Sequence, residues 1–436
     1  DALDIGGTAS LDGALNVIAE TGDYALVTEY QIISADGGIA GDFDGVTVNL
    51  VNLDGAFAAN GTIGTLTLSR NDVTLQSLAA TPNQEAFAAA AAAGGAGSEP
   101  YDTLVAETPG EIQTSYAYAT GEQYASQMGA LYDHLSNLSY DVGRQMSLAG
   151  GEGEGAMGLW GFGTGSWANY GETEGLAGMH ASMSGFLMGG DYAPLPGFKV
   201  GLMGGYQGGT VDVDGRRSSS DVKAWQIGGY ASQGLLQDDL VIVSLSGFYG
   251  EAEFETDRYT VFGGAGSTAR ADYDADYGHA ALTALYRGAF VGSDLPLTWT
   301  PYAGIAWTGI DTGSFTETGA GAGNLTTDGV RYDAWSGYAG VRLAATYKLG
   351  GQALVPFVDV GLRHIFTDTA PTAEFRLESG APFAIEGLGL DRDAAEVKAG
   401  ADYSVTDNLS LGLSYEGRFA SETVNQQMGL LARYRF

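Results

Sequence analysis

Residues 424–436, VNQQMGLLARYRF, end the chain. Val424, Gln426, Met428, Leu430, Ala432, Tyr434 and Phe436 form one alternate set, and Asn425, Gln427, Gly429, Leu431, Arg433 and Arg435 the other. Successive strand side chains point to opposite faces, so an extended segment here has one largely apolar face with an aromatic end and one polar face. A terminal Phe on such a strand suits closure of a barrel in lipid, with the rings at the membrane interface. A strand of a soluble sandwich alternates in the same way, so the preceding chain must decide.

Upstream, twelve alternating segments can be marked, at 156–170, 177–192, 198–211, 221–233, 240–257, 270–289, 297–310, 331–348, 353–367, 392–405, 409–419 and 424–436. Their joints alternate in length. The short set is 193–197, 234–239, 291–296, 350–352 and 406–408; the long set is 171–176, 212–220, 258–269, 311–330 and 368–391, with 420–423 short where a long joint is due. Tight turns at one end and long loops at the other mark an outer-membrane barrel, and an even count returns both barrel ends to the same side. Several segments have one charged face: Arg342, Lys398, Asp402, Glu416, Arg418 and Arg433 each oppose apolar neighbours. Unpaired charges are too expensive for a dry core, so these six are expected to face a wet lumen. Trp and Tyr near strand ends fit aromatic girdles.

Composition agrees. The formal charge is −34, from 53 acidic and 19 basic residues, which argues against nucleic acid as a partner. There is no cysteine, so neither a disulfide framework nor a thiolate metal site is possible. Gly (69) and Tyr (24) are abundant and Pro (10) is scarce, a composition common among outer-membrane barrels. No run of about 18 apolar residues occurs, and the Ala-rich stretch 86–96 is too short and broken by Gly94 and Gly95. A membrane-spanning form must therefore be a closed sheet. No signal peptide opens the sequence, and the start at Asp1 reads as a mature or truncated product.

Residues 1–80 carry short alternating runs punctuated by Asp12-Gly13, Asp36-Gly37-Gly38, Asp44-Gly45, Asp54-Gly55 and Asn60-Gly61. The near-regular spacing predicts rungs of a parallel β-solenoid, with a small sandwich as the alternative. Residues 81–119 predict short helices and linker. Thr120 and Gln123 have capping-box spacing, and Tyr124, Met128, Leu131, Leu135, Leu138, Val142 and Met146 then recur at helical intervals. The opposite face carries Gln127, Asp133, His134, Asn137, Asp141, Arg144 and Gln145. Such a helix, about 40 Å long at about 1.5 Å per residue, would either cover a core or lie inside a barrel over residues 120–150, with the barrel at 151–436.

A resemblance supports the second arrangement. SLDGALNVIA (10–19), YQIISADGGIAGDFDGV (30–46) and LTLSRND (66–72) resemble the membrane-proximal, autochaperone end of an autotransporter passenger. TGEQYAS (120–126) resembles the stretch that precedes the translocator in that family, and the C-terminal segment resembles the autotransporter β-domain over its whole length. The resemblance implies an all-β membrane protein: a 12-stranded antiparallel barrel with a lumenal helix, anchored in the outer membrane of a Gram-negative bacterium. It implies export of the chain's own N-terminal passenger to the cell surface. It implies outer-membrane lipid, periplasmic chaperones and the barrel-assembly machinery as partners, the last reading Leu430, Tyr434 and Phe436 as its signal. No cofactor is implied.

The chemistry-bearing residues make no rival motif. His134, His180, His279 and His364 are scattered, and residues 163–167 (GTGSW) are not a nucleophile elbow. Asn137 lacks the paired Asn of self-cleaving relatives. An outer-membrane hydrolase and a passive porin or adhesin are the competing expectations.

Overall fold

The computed structural model describes residues 2–436 apart from 21, 23, 149–153, 174, 237, 238, 291–295 and 379, and apart from the side chains of 140, 141 and 144–148. Among the described residues, twelve long strands close on themselves. They are β1 (Met157–Tyr170), β2 (Met179–Leu195), β3 (Phe198–Val213), β4 (Ser218–Leu235), β5 (Val241–Phe262), β6 (Ala265–Tyr286), β7 (Leu297–Thr312), β8 (Val330–Ala345), β9 (Gln352–Ile365), β10 (Asp393–Ser404), β11 (Leu409–Phe419) and β12 (Thr423–Arg435). Each pairs antiparallel with its sequence neighbour, and β12 closes the cylinder against β1 from Thr423↔Tyr170 to Arg435↔Gly158. Closure leaves no sheet edge, which a bilayer requires because lipid cannot satisfy free backbone groups.

The alternation read from the sequence decides which way each side chain points. On β12, Met428, Leu430 and Tyr434 are exposed on the outer wall, while Asn425, Gln427, Leu431 and Arg433 are buried in the bore. The outer wall continues with Leu202, Ile227, Leu245, Leu362 and Leu413, an apolar belt that only lipid can cover without cost. Tyr192, Tyr286, Tyr347, Tyr434 and Phe436 mark its lower rim; Trp225, Tyr249, Trp335 and Phe366 mark its upper rim.

Two joints expected as loops are strand instead. Residues 212–220 and 258–269 continue the ladders, leaving only short turns at 214–217 and 263–264. Above the girdle the outward positions turn acidic, with Glu251↔Asp276, Glu253↔Asp274 and Glu255↔Asp272 directly opposed. Polar alternation without an apolar face reads as loop in the sequence, yet backbone pairing runs on past the lipid and into water. The joints at 311–330 and 368–391 are long, and each holds a small strand pair, Phe315–Thr316 with Thr326–Thr327 and Thr372–Phe375 with Phe383–Glu386.

The N-terminal strands form parallel pairs about one turn apart: Leu3–Ile5 on Ile33–Ala35, Ala9–Leu11 on Ile39–Gly41, and Ala14–Val17 on Gly45–Val48. The solenoid does not continue to residue 80. Leu53–Asn60 and Ile63–Arg70 form an antiparallel hairpin that also pairs with Val27–Ala35. Asp54-Gly55, expected as a turn, lies within a strand, and the segment after the hairpin carries a 3-10 helix at Gln76–Leu78. The parallel stack thus ends on this hairpin, with Ile63–Arg70 running against Val27–Ala35.

Four helices follow: α1 (Pro82–Gly94), α2 (Glu99–Val105), α3 (Pro109–Ala119) and α4 (Glu122–Leu148). Among the described residues none is long and apolar enough to cross a membrane. Thr120 does not cap α4; it ends α3 in helical conformation, and Gly121 makes the turn at φ +74°. A side chain at that φ would be strained, which favours glycine here. The sequence held a better signal that went unread: Thr108 and Glu111 form a reciprocal capping box with Pro109 in the first turn of α3.

Candidate functional site in the barrel bore

Helix α4 occupies the bore. Glu122 lies at the loop-bearing mouth, where its carboxylate accepts from the Ala177 amide (3.1 Å) and meets Arg216 (3.4 Å). From there the helix descends toward Met157, where β1 begins at the short-turn end. Tyr124, Met128, Leu131, Leu135, Leu138 and Val142 are all buried; Met146 has its side chain outside the described residues. Tyr124 packs among the rings of Tyr273, Phe315 and Phe375, and Tyr132 meets Tyr332 edge-on.

The polar face of α4 meets the polar bore. Gln127 donates to Ser220 Oγ (2.6 Å) and accepts from Tyr273 Oη (2.8 Å). His134 pairs with Gln207 and lies 3.5 Å from Ser166 Oγ. Asp133 accepts from Tyr170 Oη at 3.2 Å. Arg418 of β11 donates to both Asp133 and Asn137, one helical turn apart. Asp141, Arg144 and Gln145 have side chains outside the described residues.

Arg418 also opens a chain of charges along the wall. Its Nε lies 3.4 Å from Glu396, which accepts from Arg363 Nε at 2.8 Å, and Lys398 bridges Glu416 at 3.1 Å and Glu396 at 3.9 Å. Arg418, Arg363 and Lys398 thus balance Asp133, Glu396 and Glu416, and all six are buried. Breaking one member of such a set exposes the rest to uncompensated charge, whereas the intact set is costly but self-consistent.

Nearer the lower end, Arg342 meets Asp402 at 3.7 Å and stacks 3.8 Å over the Phe357 ring. Arg433 and Lys199 share Asp191, at 3.7 and 3.4 Å. The expected lumenal charges therefore divide between a set that touches α4, through Arg418, and a lower set around Asp191 and Asp402. Leu430, Tyr434 and Phe436 stand on the opposite, outer face; Tyr434 and Phe436 rings lie 5.0 Å apart, and the Phe436 amide donates to Met157 O at 3.0 Å across the closing seam.

Sequence reasoning missed four participants. Glu396 and Arg363 keep the inward parity of their strands and could have been read from it. Arg258 fell in a presumed loop, and Glu317 had no local signal. These two form a fully buried pair at the mouth: Arg258 donates to Glu317 from Nε (2.7 Å) and Nη2 (2.6 Å), and to Tyr118 O (3.0 Å) and Gly323 O (2.7 Å). Tyr124 Oη donates to the same carboxylate at 2.6 Å, tying α4 to it.

Above the membrane, Glu107 is buried at the joint of α2 and α3. Its Oε1 accepts from Ser115 Oγ (2.7 Å) and from the Gly263 and Gly264 amides (2.7 and 3.2 Å) at the β5–β6 tip. Burial holds this carboxyl above the usual Glu range, outweighing the three donors. The folded form then binds its proton more tightly than the unfolded chain does. The resulting stability is full below the unfolded pKa and is lost as pH rises through the folded one. Hydrogen exchange at the β5–β6 tip is expected to be slower at pH 4 to 5 than at pH 8 after correction for intrinsic rates, and Glu107→Gln to flatten that difference.

Known proteins share this plan. The autotransporter beta-domain family matches residues 159–416, more than half the chain. Two extracellular serine proteases of Serratia marcescens are 21% and 22% identical over 98% of this chain, which spans only 45% of their length. The translocator domain of autotransporter NalP from Neisseria meningitidis superposes with a TM-score of 0.56 at 14% identity, covering 72% of this chain and 99% of that domain. The beta domain of the Bordetella autotransporter BrkA gives 0.49 at 19% identity, covering 64% and 100%. A closed twelve-stranded antiparallel barrel with a helix in its bore, matched over most of its length, belongs to the autotransporter beta-domain family, the barrels that anchor in the Gram-negative outer membrane and support export of their own passenger.

Proposed function

We propose that residues 120–436 are the translocating unit, that residues 1–80 are the membrane-proximal end of the exported passenger, and that residues 81–119 join them. The observation that carries this is the direction of α4. It starts at the loop-bearing mouth and runs to the short-turn end where β1 begins, which supports an N-terminal part at the cell surface. Export in this reading is mechanical. A hairpin threads the bore, and folding of the N-terminal strands outside biases movement outward. A bore filled by a helix does not suit a passive porin.

The name of the Serratia relatives describes proteins more than twice as long as the matched part, and we infer that their protease activity lies in the remainder. Within this bore, Ser166 and His134 do approach, but the ring's other nitrogen faces the amide of Gln207 rather than a carboxylate, so no oriented base results. An epitope tag placed ahead of Ala2 is expected to be accessible to antibody on intact cells. A tag reached only after the outer membrane is opened would overturn the orientation.

Outer-membrane lipid, periplasmic chaperones and the assembly machinery are the further partners of this reading. Phe436 completes the lower girdle beside the seam, where β12 must be recognised and joined to β1. Deleting Phe436 is expected to lower the yield of heat-modifiable barrel several-fold; an unchanged yield would count against the terminal residues as a signal.

A further inference from the structure

Helix α4 occupies the bore, and three more helices sit over its mouth, where the outer hairpins rise to hold them. Asn83 of α1 imitates a strand neighbour: its Nδ2 donates to Glu386 O (2.7 Å) and its Oδ1 accepts from the Glu386 amide (2.9 Å), in the β9–β10 joint. Phe87, fully buried, meets the rings of Tyr116, Phe262 and Phe383 edge-on, joining α1, α3, β5 and the same joint. Glu107 takes the two tip amides of β5–β6. Tyr118 of α3 donates to Gly215 O in the β3–β4 turn at 3.1 Å, and Arg216 stacks over its ring. On the other side, Tyr116 donates to Leu75 O at 2.8 Å, and Leu50, Leu53, Leu66 and Leu68 of the N-terminal segment share one buried cluster with Phe87.

We propose that helices α1–α3, residues 82–119, form a lid: a second closure of the channel, built from contacts separate from those that hold α4, which also fixes the N-terminal strands rigidly on the mouth. Asn83 and Glu107 meet loop backbone at Glu386 and at Gly263 and Gly264, while Phe87 and Tyr118 meet the side chains of Phe262, Phe383 and Arg216, so the lid recognises the outer loops as an assembled set. Such a lid can seat only after the outer hairpins are complete and residues 82–119 have emerged. It therefore ends export, and it prevents the mouth from reopening when α4 fluctuates.

This inference goes beyond the export reading, and the intact-cell tag test judges that reading independently of the lid. Conductance of the purified full chain in planar lipid bilayers tests the lid. Three variants are compared with the parent: Asn83→Ala with Glu107→Ala for the lid, Asp133→Asn with Asn137→Ala for the bore, and all four together. Each pair alone is expected to stay near parental conductance, because the other closure remains. The four together are expected to raise the open fraction by about tenfold or more, given the loss of several buried hydrogen bonds on each side. Equal conductance of the bore variant with and without the lid substitutions, at any level, overturns the lid. Heat-modifiable mobility reports that each barrel is folded; Asn83→Ser with Glu107→Met, which keeps the bulk but removes the acceptor, replaces the lid pair if it is not.

Discussion

Arg418→Ala is expected to loosen helix α4 in the bore at a cost of about 3–5 kcal/mol, the usual penalty for stranding buried partners of a lost charge. Two contacts to the helix disappear at once, at Asp133 and Asn137, and Glu396 loses one of its cations. The wall itself should survive, because its ladders are backbone bonds that do not pass through Arg418. Hydrogen exchange should therefore rise along α4 while the strands stay protected. Adding Asp133→Asn removes the stranded carboxylate and should recover part of the loss, since neighbours in one network are not additive. Wild-type protection of α4 in Arg418→Ala would show that the helix is held by its apolar stripe alone.

Glu317→Ala should be comparably costly, about 3–5 kcal/mol, but at the mouth. The carboxylate is fully buried and receives Arg258 through two bonds, Tyr124 Oη, and the Leu325 amide at 2.7 Å. Its removal leaves a guanidinium 2% exposed without its counter-charge and frees the joint that carries Gly323 and Leu325. The expected signature is early proteolysis in the β7–β8 joint and increased exchange at the first turn of α4, with the lower barrel unchanged. Glu317→Gln, which keeps an acceptor but not the charge, should fall between. A variant with parental exchange at both places would remove this pair from the account of how α4 is anchored.

How much of this was legible before folding can be argued from individual elements. Period-two alternation located the twelve strands, though not the outer ends of those at 241–262 and 265–286, and it separated Leu430 and Tyr434 from Arg433 because neighbouring strand residues cannot share a face. Period-three-to-four spacing placed α4, while its mixed surface fitted both a core-covering and a lumenal position. The same local rules assigned Arg342, Lys398, Asp402, Glu416, Arg418 and Arg433 to the bore. They also misread 212–220 and 258–269, where alternation persists but hydrophobicity stops, and they passed over the capping box of α3.

Periodicity determined the wall and the helix by itself, because both depend on which face each side chain takes within one segment. Partnership was another matter. That Arg418 grips Asp133 rather than sitting in water, that Arg258 finds Glu317 across 59 residues, and that Asn83 reads the backbone of Glu386 303 residues away are consequences of closure. Only when the cylinder shuts around the helix do charges from distant segments share one buried space, and only there does each need a particular counterpart.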